Sequence, residues 1–391
     1  MSKSTRIESI DILRGLVMIL MALDHVRDYF HQGAFFSSPT DLETTTPILF
    51  FTRFITHFCA PVFIFLAGTS AFLYGSKKTK PELSKFLFTR GIWLIFLEII
   101  LNNLLWKFDL NYTSIVLQVI WAIGLTMTLL SFLIYLNYKI LLAFGIVIIT
   151  CHNLFDNVVM EGNRFSSVLW YILHQRYDID LAGTTVVFAY PILPWLGVMI
   201  LGYCLGKLYL PSVSKKTRKS LLFKIGITSV ILFFVIRGIN VYGDLVPWAS
   251  QSTTIKTILS FFNVTKYPPS LSYVLITLGP SLLFLYGIES VKNKITNFMI
   301  VFGRVPLFYY FLHIFVIHVL AIVGILIFGG DWKIMIITEA GFNNAALKDY
   351  GYSLFSVYLI WIGIVTLLYS PCKKYMIYKT NNKHKWWLSY L

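Results

Sequence analysis

Residues 9–30 read SIDILRGLVMILMALDHVRDYF. The stretch is apolar enough to lie in lipid, yet it carries Asp11, Arg14, Asp24 and His25. On a helix of 3.6 residues per turn, positions 11, 14, 18, 21 and 25 fall on one face. From Arg14 to His25 that face climbs roughly 16 Å. Each ionisable group inside a membrane costs from about 2.5 kcal/mol upward, so such groups face a bundle interior and mark a site or pathway. The plainer reading is a helix-end Asp–Arg pair and an interfacial histidine.

Composition sets the frame. The chain has 391 residues, of which 57% are hydrophobic, 17% aromatic and 13% charged. A soluble protein carries about 25% charged residues. The expected fold is therefore all-α, a polytopic membrane helix bundle, because helices satisfy their backbone groups internally. The four cysteines, Cys59, Cys151, Cys204 and Cys372, lie in apolar segments without metal-type spacing and read as packing residues. No small-residue cleavage site follows the first apolar run, so that helix is expected to stay in place.

Ten spanning segments of suitable length run near 10–30, 48–74, 86–105, 114–136, 139–155, 184–208, 220–242, 269–289, 299–328 and 351–371. The odd-numbered loops hold only Lys107, Arg164, Arg176, Lys256, Lys266, Lys333 and Lys348. The even-numbered loops and the termini are richer, with Lys77, Lys78, Lys80, Lys215, Lys216, Arg218, Lys219 and the tail from Lys373 to Lys385. Both termini are thus expected in the cytoplasm. This asymmetry explains the net charge of +15 without a nucleic-acid partner. The fifth span is the weakest, and an eleventh, re-entrant piece has room in loops 152–183, 243–268 or 329–350. With no internal repeat, linker or soluble region in view, residues 1–391 read as a single transmembrane domain.

The second segment places Arg53 and His57 on one face, with Pro61 expected to kink it. Gly68, Ser70 and Ala71 allow close helix packing. Glu98 lies near the middle of the third segment and needs a partner, with Arg53 or a histidine of the first two helices as candidates. Pro191 and Pro194 interrupt the sixth segment, and Pro280 the eighth. The ninth, FGRVPLFYYFLHIFVIH at 302–318, repeats the pattern of the first: an inner Arg304, then Tyr309, Tyr310 and His313 deeper in the bundle, and His318 beyond.

Three motifs carry a family resemblance: RIESIDILRGLVMILMALDH at Arg6–His25, APVFIFLAGTSAF at Ala60–Phe72 and GRVPLFYYFLH at Gly303–His313. They resemble the transmembrane acyltransferases typified by heparan-α-glucosaminide N-acetyltransferase, in particular its compact bacterial relatives. The start of the first helix is also similar to the type-3 acyltransferases that decorate bacterial saccharides. The resemblance implies acetyl-CoA or another acyl-CoA as donor from the cytosol, and a saccharide or similar polar acceptor on the far side of a bacterial inner membrane. It aligns His25 with the essential histidine of the type-3 enzymes, Arg14 with their arginine, and His313 with a late histidine of the heparan enzyme. That enzyme has its own catalytic histidine in the following loop, where this chain offers His31, so the base stays open among His25, His31 and His313.

Acyl transfer needs a base titrating near neutrality and donors for a developing oxyanion. The expected catalytic set is His25 with Asp24, His57, Glu98 and His313. Arg14, Arg304, Arg53 and Tyr309 are the expected acyl-CoA contacts, arginine being suited to phosphate. No P-loop, GxSxG or metal cluster is read. Besides membrane lipids, a second copy of the chain, giving a homodimer, is an open partner. The competing class is a transporter or permease whose charged helices bind substrate or relay protons.

Overall fold

The first helix, α1 (Glu8–Phe30), forms over its whole predicted length and becomes the axis of the molecule. The computed structural model describes residues 6–338, 347–348 and 350–389; part of the expected loop 329–350 therefore lies outside the described residues. Both faces of α1 are covered, Asp11, Asp24 and His25 included.

The remaining elements follow in order: α2 (Pro47–Thr56), α3 (Cys59–Gly75), α4 (Lys80–Leu97), α5 (Asn103–Lys107), β1 (Ser114–Leu117), α6 (Val119–Leu133), α7 (Tyr138–Cys151), α8 (Phe165–Leu173), β2 (Tyr177–Leu181), β3 (Thr184–Phe188), α9 (Ile192–Leu205), α10 (Lys215–Ile239), α11 (Thr254–Phe262), α12 (Leu271–Ile288), α13 (Lys294–Arg304), α14 (Pro306–Ile327) and α15 (Leu354–Asn381). Against α1 pack α2, α3, α12, α13, α14 and α15. Among the described residues seven helical stretches are long and apolar enough to cross a membrane: Pro47–Gly75, Tyr138–Phe155, Ile192–Tyr209, Lys215–Ile239, Leu271–Ile288, Pro306–Ile327 and Leu354–Asn381. Of the other three helices in the ten-span reading, α1 and α4 each carry several charged residues and α6 has 15 residues.

The sequence reading needs two corrections. The segment expected at 114–136 opens on strand β1, and that at 184–208 on strand β3. With β2 they form a small sheet in the order β1-β3-β2; β1 is parallel to β3 (Ser114 opposite Thr185) and β2 antiparallel to it. So the fold is mainly, but not wholly, α. Tyr171, Ile179, Leu117 and Phe188 give this cap its own small core. The segment at 299–328 is two helices, broken at Val305, because the residue before Pro306 is driven out of the helical region and proline cannot continue the ladder. The long loops at 152–183 and 243–268 carry α8 and α11, each of 9 residues and too short to span.

Pro61 acts as expected, one turn upstream. Its missing N–H leaves the carbonyl of His57 without a helical partner, so the hydrogen-bond ladder is interrupted between α2 and α3 while His57 and Phe58 keep helical backbone angles. The hydroxyl of Tyr273 on α12 donates to that carbonyl at 2.7 Å. Pro191 and Pro194, by contrast, lie at the start of α9 and interrupt nothing.

Contact between α1 and α13 is backbone to backbone. A Cβ on Gly15 would sit 1.8 Å from the Met299 carbonyl oxygen, and one on Gly303 1.9 Å from that of Asp11. No side chain can rotate away from either clash. Gly303→Ala should therefore destabilise the protein by about 1–3 kcal/mol or more, as overpacking does. Gly363→Ala on α15, where a Cβ meets nothing, is the control. Thermal unfolding in detergent should show a lowered midpoint for Gly303→Ala alone; equal midpoints would contradict the close contact.

Candidate active site

Two clusters of charge lie along α1, one near each end. At the first, the Asp11 carboxylate, 2% exposed, accepts from Arg6 at 2.6 and 3.0 Å and is paired with Arg14 at 3.4 Å and Arg304 at 3.3 Å. Arg14 also donates to Ser70 Oγ at 2.8 Å and to the Gly303 carbonyl at 3.2 Å. Ser70 thus fixes an arginine, whereas Gly68 and Gly202 let α3 and α9 touch. Arg6, Arg14, Arg90, Arg304 and Lys379 line a cavity of about 270 Å³ whose deeper wall is apolar, including Met18, Met21 and Leu94.

At the second cluster, Asp24 pairs with Arg53 and with Arg27 (2.9 Å) and accepts from Thr56 Oγ1 at 2.9 Å. A smaller cavity of about 100 Å³ opens here, lined by Asp24, His25, Asp28, Arg53, Lys266 and Tyr267 among others. The two cavities share Met21, Phe63, Val119 and Tyr310, which form a collar between them.

Beside that collar the two strongest sequence signals meet. His25 Nδ1 lies 2.8 Å from His313 Nε2, and the two ring planes are within 7° of parallel with centroids 4.9 Å apart. The remaining nitrogen of His313, Nδ1, faces the Tyr309 carbonyl oxygen at 2.7 Å. A carbonyl only accepts, so His313 donates from Nδ1 and its Nε2 carries the lone pair. His25 must then donate from Nδ1, which leaves its Nε2 lone pair available on the ring that lines the second cavity. The edge of Trp106 packs on the same ring at 4.7 Å, and the Trp106 carbonyl is held by the hydroxyl of Tyr29.

Other expected site residues are placed differently. Glu98, fully buried, accepts from Asn102 Nδ2 at 2.7 Å and from the backbone N–H of Trp121 at 2.9 Å. It thereby satisfies the open amino end of α6, aided by a π-helical turn over Glu98–Asn102. Its partners are these, rather than Arg53 or a histidine. His57 lies against Tyr273 and Phe54, and its Nδ1 has no partner among the described residues. Asp24 contacts arginines and Thr56 rather than the His25 ring. Tyr309 stacks behind His313 at 4.9 Å and lines neither cavity, while its neighbour Tyr310 lines both. His318 spans the carbonyls of Leu105 and Met335. His31 lies past the end of α1, bridged to Tyr352, where burial and then the nearby Arg27 charge hold its imidazole below the ordinary range.

Sequence reasoning missed Tyr310, Lys379 and Lys266. Tyr310 sits one position from the tyrosine chosen, and helical phase alone could not tell which faces a cavity. Lys379 enters the first cavity because α15 continues to Asn381, well past residue 371.

Asp24 is paired with Arg53 and shares Arg27 with Asp28, so removing it should leave the Arg53 charge uncompensated. Asp24→Ala is expected to cost about 3–5 kcal/mol, and Thr56→Val about 1 kcal/mol. Comparing unfolding midpoints of the two variants in detergent tests this; equal, small losses would show that Asp24 is solvated.

The chain matches the family described as Heparan-alpha-glucosaminide N-acetyltransferase, catalytic, over residues 6–242. No curated protein matches it. The matched region holds α1 with Arg14 and His25 and ends before α14, which carries His313. With more than half its length covered, and with several helices apolar enough to cross a membrane, the chain belongs to the heparan-α-glucosaminide N-acetyltransferase catalytic family of membrane acetyltransferases.

Proposed function

We propose that the protein transfers an acetyl or other short acyl group from acyl-CoA, entering from the cytoplasm, to a hydroxyl or amine of an extracytoplasmic saccharide or similar polar acceptor. One observation carries this reading: a cation-mouthed cavity with an apolar wall and a polar cavity meet at a collar with the His25–His313 pair beside it. In this account the chain is one domain of ten spans with both termini in the cytoplasm, as the lysine and arginine distribution favours.

Coenzyme A is polyanionic at its nucleotide end and slender and uncharged along its pantetheine arm. The first cavity offers cations and then an apolar wall in that order. Arg6, Arg14, Arg90, Arg304 and Lys379 would bind the phosphates, arginine doing so bidentately. The thioester then reaches the collar. From the second cavity the acceptor presents its nucleophile to His25 Nε2, which takes the proton as the nucleophile attacks the thioester carbonyl carbon. His313 accepts from His25 and spreads the imidazolium charge, and the hydroxyl of Tyr310, which lines both cavities, would donate to the developing oxyanion. When the C–S bond breaks, the CoA thiolate leaves and recovers the proton from His25. The ester or amide departs through the second cavity.

Loss of a general base typically costs 10²- to 10⁴-fold in rate. His25→Ala should lower acyl transfer or thioester turnover by about that factor while leaving unfolding midpoint and CoA affinity near wild type. His313→Ala should also be severe, because it removes the acceptor that fixes the His25 tautomer. His25→Ala with near-normal turnover would sink the assignment. In a separate measurement, Arg14→Ala and Arg304→Ala should each weaken CoA binding, more at low than at high salt. Unchanged affinity in both would mean that these arginines serve Asp11 alone.

A further inference from the structure

We propose that His152, Asp156 and His174 form a binding site for a divalent transition metal of the zinc class, which clamps the end of α7 to the end of α8. The site lies on elements separate from the His25–His313 pair. One ligand atom from each residue lies within 4.8 Å of the others. His152 and His174 are 1% and 3% exposed, with ring centroids 5.5 Å apart.

A metal-free arrangement explains only part of this. His174 Nε2 meets Asp156 Oδ1 at 3.1 Å, an ordinary histidine–carboxylate contact. Yet among the described residues neither ring nitrogen of His152 has a partner, and Nδ1 of His174 has none. Buried imidazole nitrogens are nearly always satisfied, since each ring has a donor and an acceptor to place. A cation held by one nitrogen of each ring and by the carboxylate would give His152 the partner it lacks. Two imidazoles and a carboxylate suit zinc and its neighbours, whereas calcium and magnesium call for more oxygen ligands.

The surroundings hold the carboxylate in place. Asn153 Nδ2 donates to Asp156 Oδ2 at 2.8 Å, and Asn153 Oδ1 accepts from the Leu271 N–H at 3.0 Å, at the start of α12. Such outer contacts orient metal ligands. Zinc–ligand bonds of about 2.0–2.2 Å put tetrahedral ligand atoms roughly 3.3 Å apart. The three side chains therefore need to draw in by about 1.5 Å at most, within reach of side-chain rotation. Water would fill the fourth position. Because β2 follows His174 closely, the metal would brace the strand cap over the bundle.

The test uses full-length protein in detergent, stripped with EDTA and titrated with Zn²⁺ by calorimetry, with Co²⁺ as the optical probe. One equivalent should bind, Zn²⁺ should raise the thermal unfolding midpoint, and Co²⁺ should give the visible absorption of a four-coordinate site. Asp156→Asn, which conserves shape, and His152→Phe should each weaken binding by more than about 10-fold and remove the thermal shift. Wild-type protein with no stoichiometric binding or no thermal shift overturns the proposal. So does binding that survives in Asp156→Asn or His152→Phe, which would place the metal on other histidines such as His25, His313 or His384. If the variants do not fold, wild-type stoichiometry and the Co²⁺ spectrum decide alone.

Discussion

A charged helix in an apolar bundle is stable only if every ionisable group on it is paired, and α1 meets that condition with one buried carboxylate toward each end. Asp11 holds arginines from its own helix, from the chain before it and from α13. Asp24 holds one from α1 and one from α2. These contacts fix the depth and rotation of α1 relative to its neighbours, and the Gly15–Gly303 contact fixes its distance from α13. Because α14 follows α13 after the break at Val305, the same constraints set where His313 falls against His25. The histidine pair is thus a consequence of packing and pairing elsewhere.

This arrangement also separates roles that look alike in the sequence. Asp24 and His25 are adjacent in the chain, yet the carboxylate serves arginines and the imidazole serves another imidazole. Glu98, the most conspicuous intramembrane carboxylate, is consumed by the open end of α6. His25 is left with a lone pair on the cavity side and no carboxylate hydrogen-bonded to it among the described residues. A histidine pair can accept a proton without creating a buried carboxylic acid, which suits a base that must give the proton back in the same turnover.

Much of this was legible from residues alone. Apolar length marked the membrane helices, and the charges and histidine of α1 with the histidines of α14 marked the two that meet. What escaped was set by tertiary context. The strands at 114–117 and 184–188 are β-branched and apolar, and short apolar runs of this kind do not declare their secondary structure. The break at Val305 was readable from Pro306, since proline biases the residue before it away from the helix. The set expected around His25 was Asp24, His57, Glu98 and His313, and residue spacing could not say which of them shares its azimuth around the bundle axis. His152 and Asp156 stand one helical turn apart, a spacing that metal sites use, yet His174 joins them only through the fold.

The claim that matters most is that donor and acceptor approach His25 from opposite ends of α1. A structure determined with coenzyme A bound tests it most directly. The account predicts the phosphates among Arg6, Arg14, Arg90, Arg304 and Lys379, with the sulfur at the Met21–Tyr310 collar within reach of His25. Coenzyme A lodged in the cavity of Arg53 and Lys266, or seated with its thiol away from the collar, would contradict it.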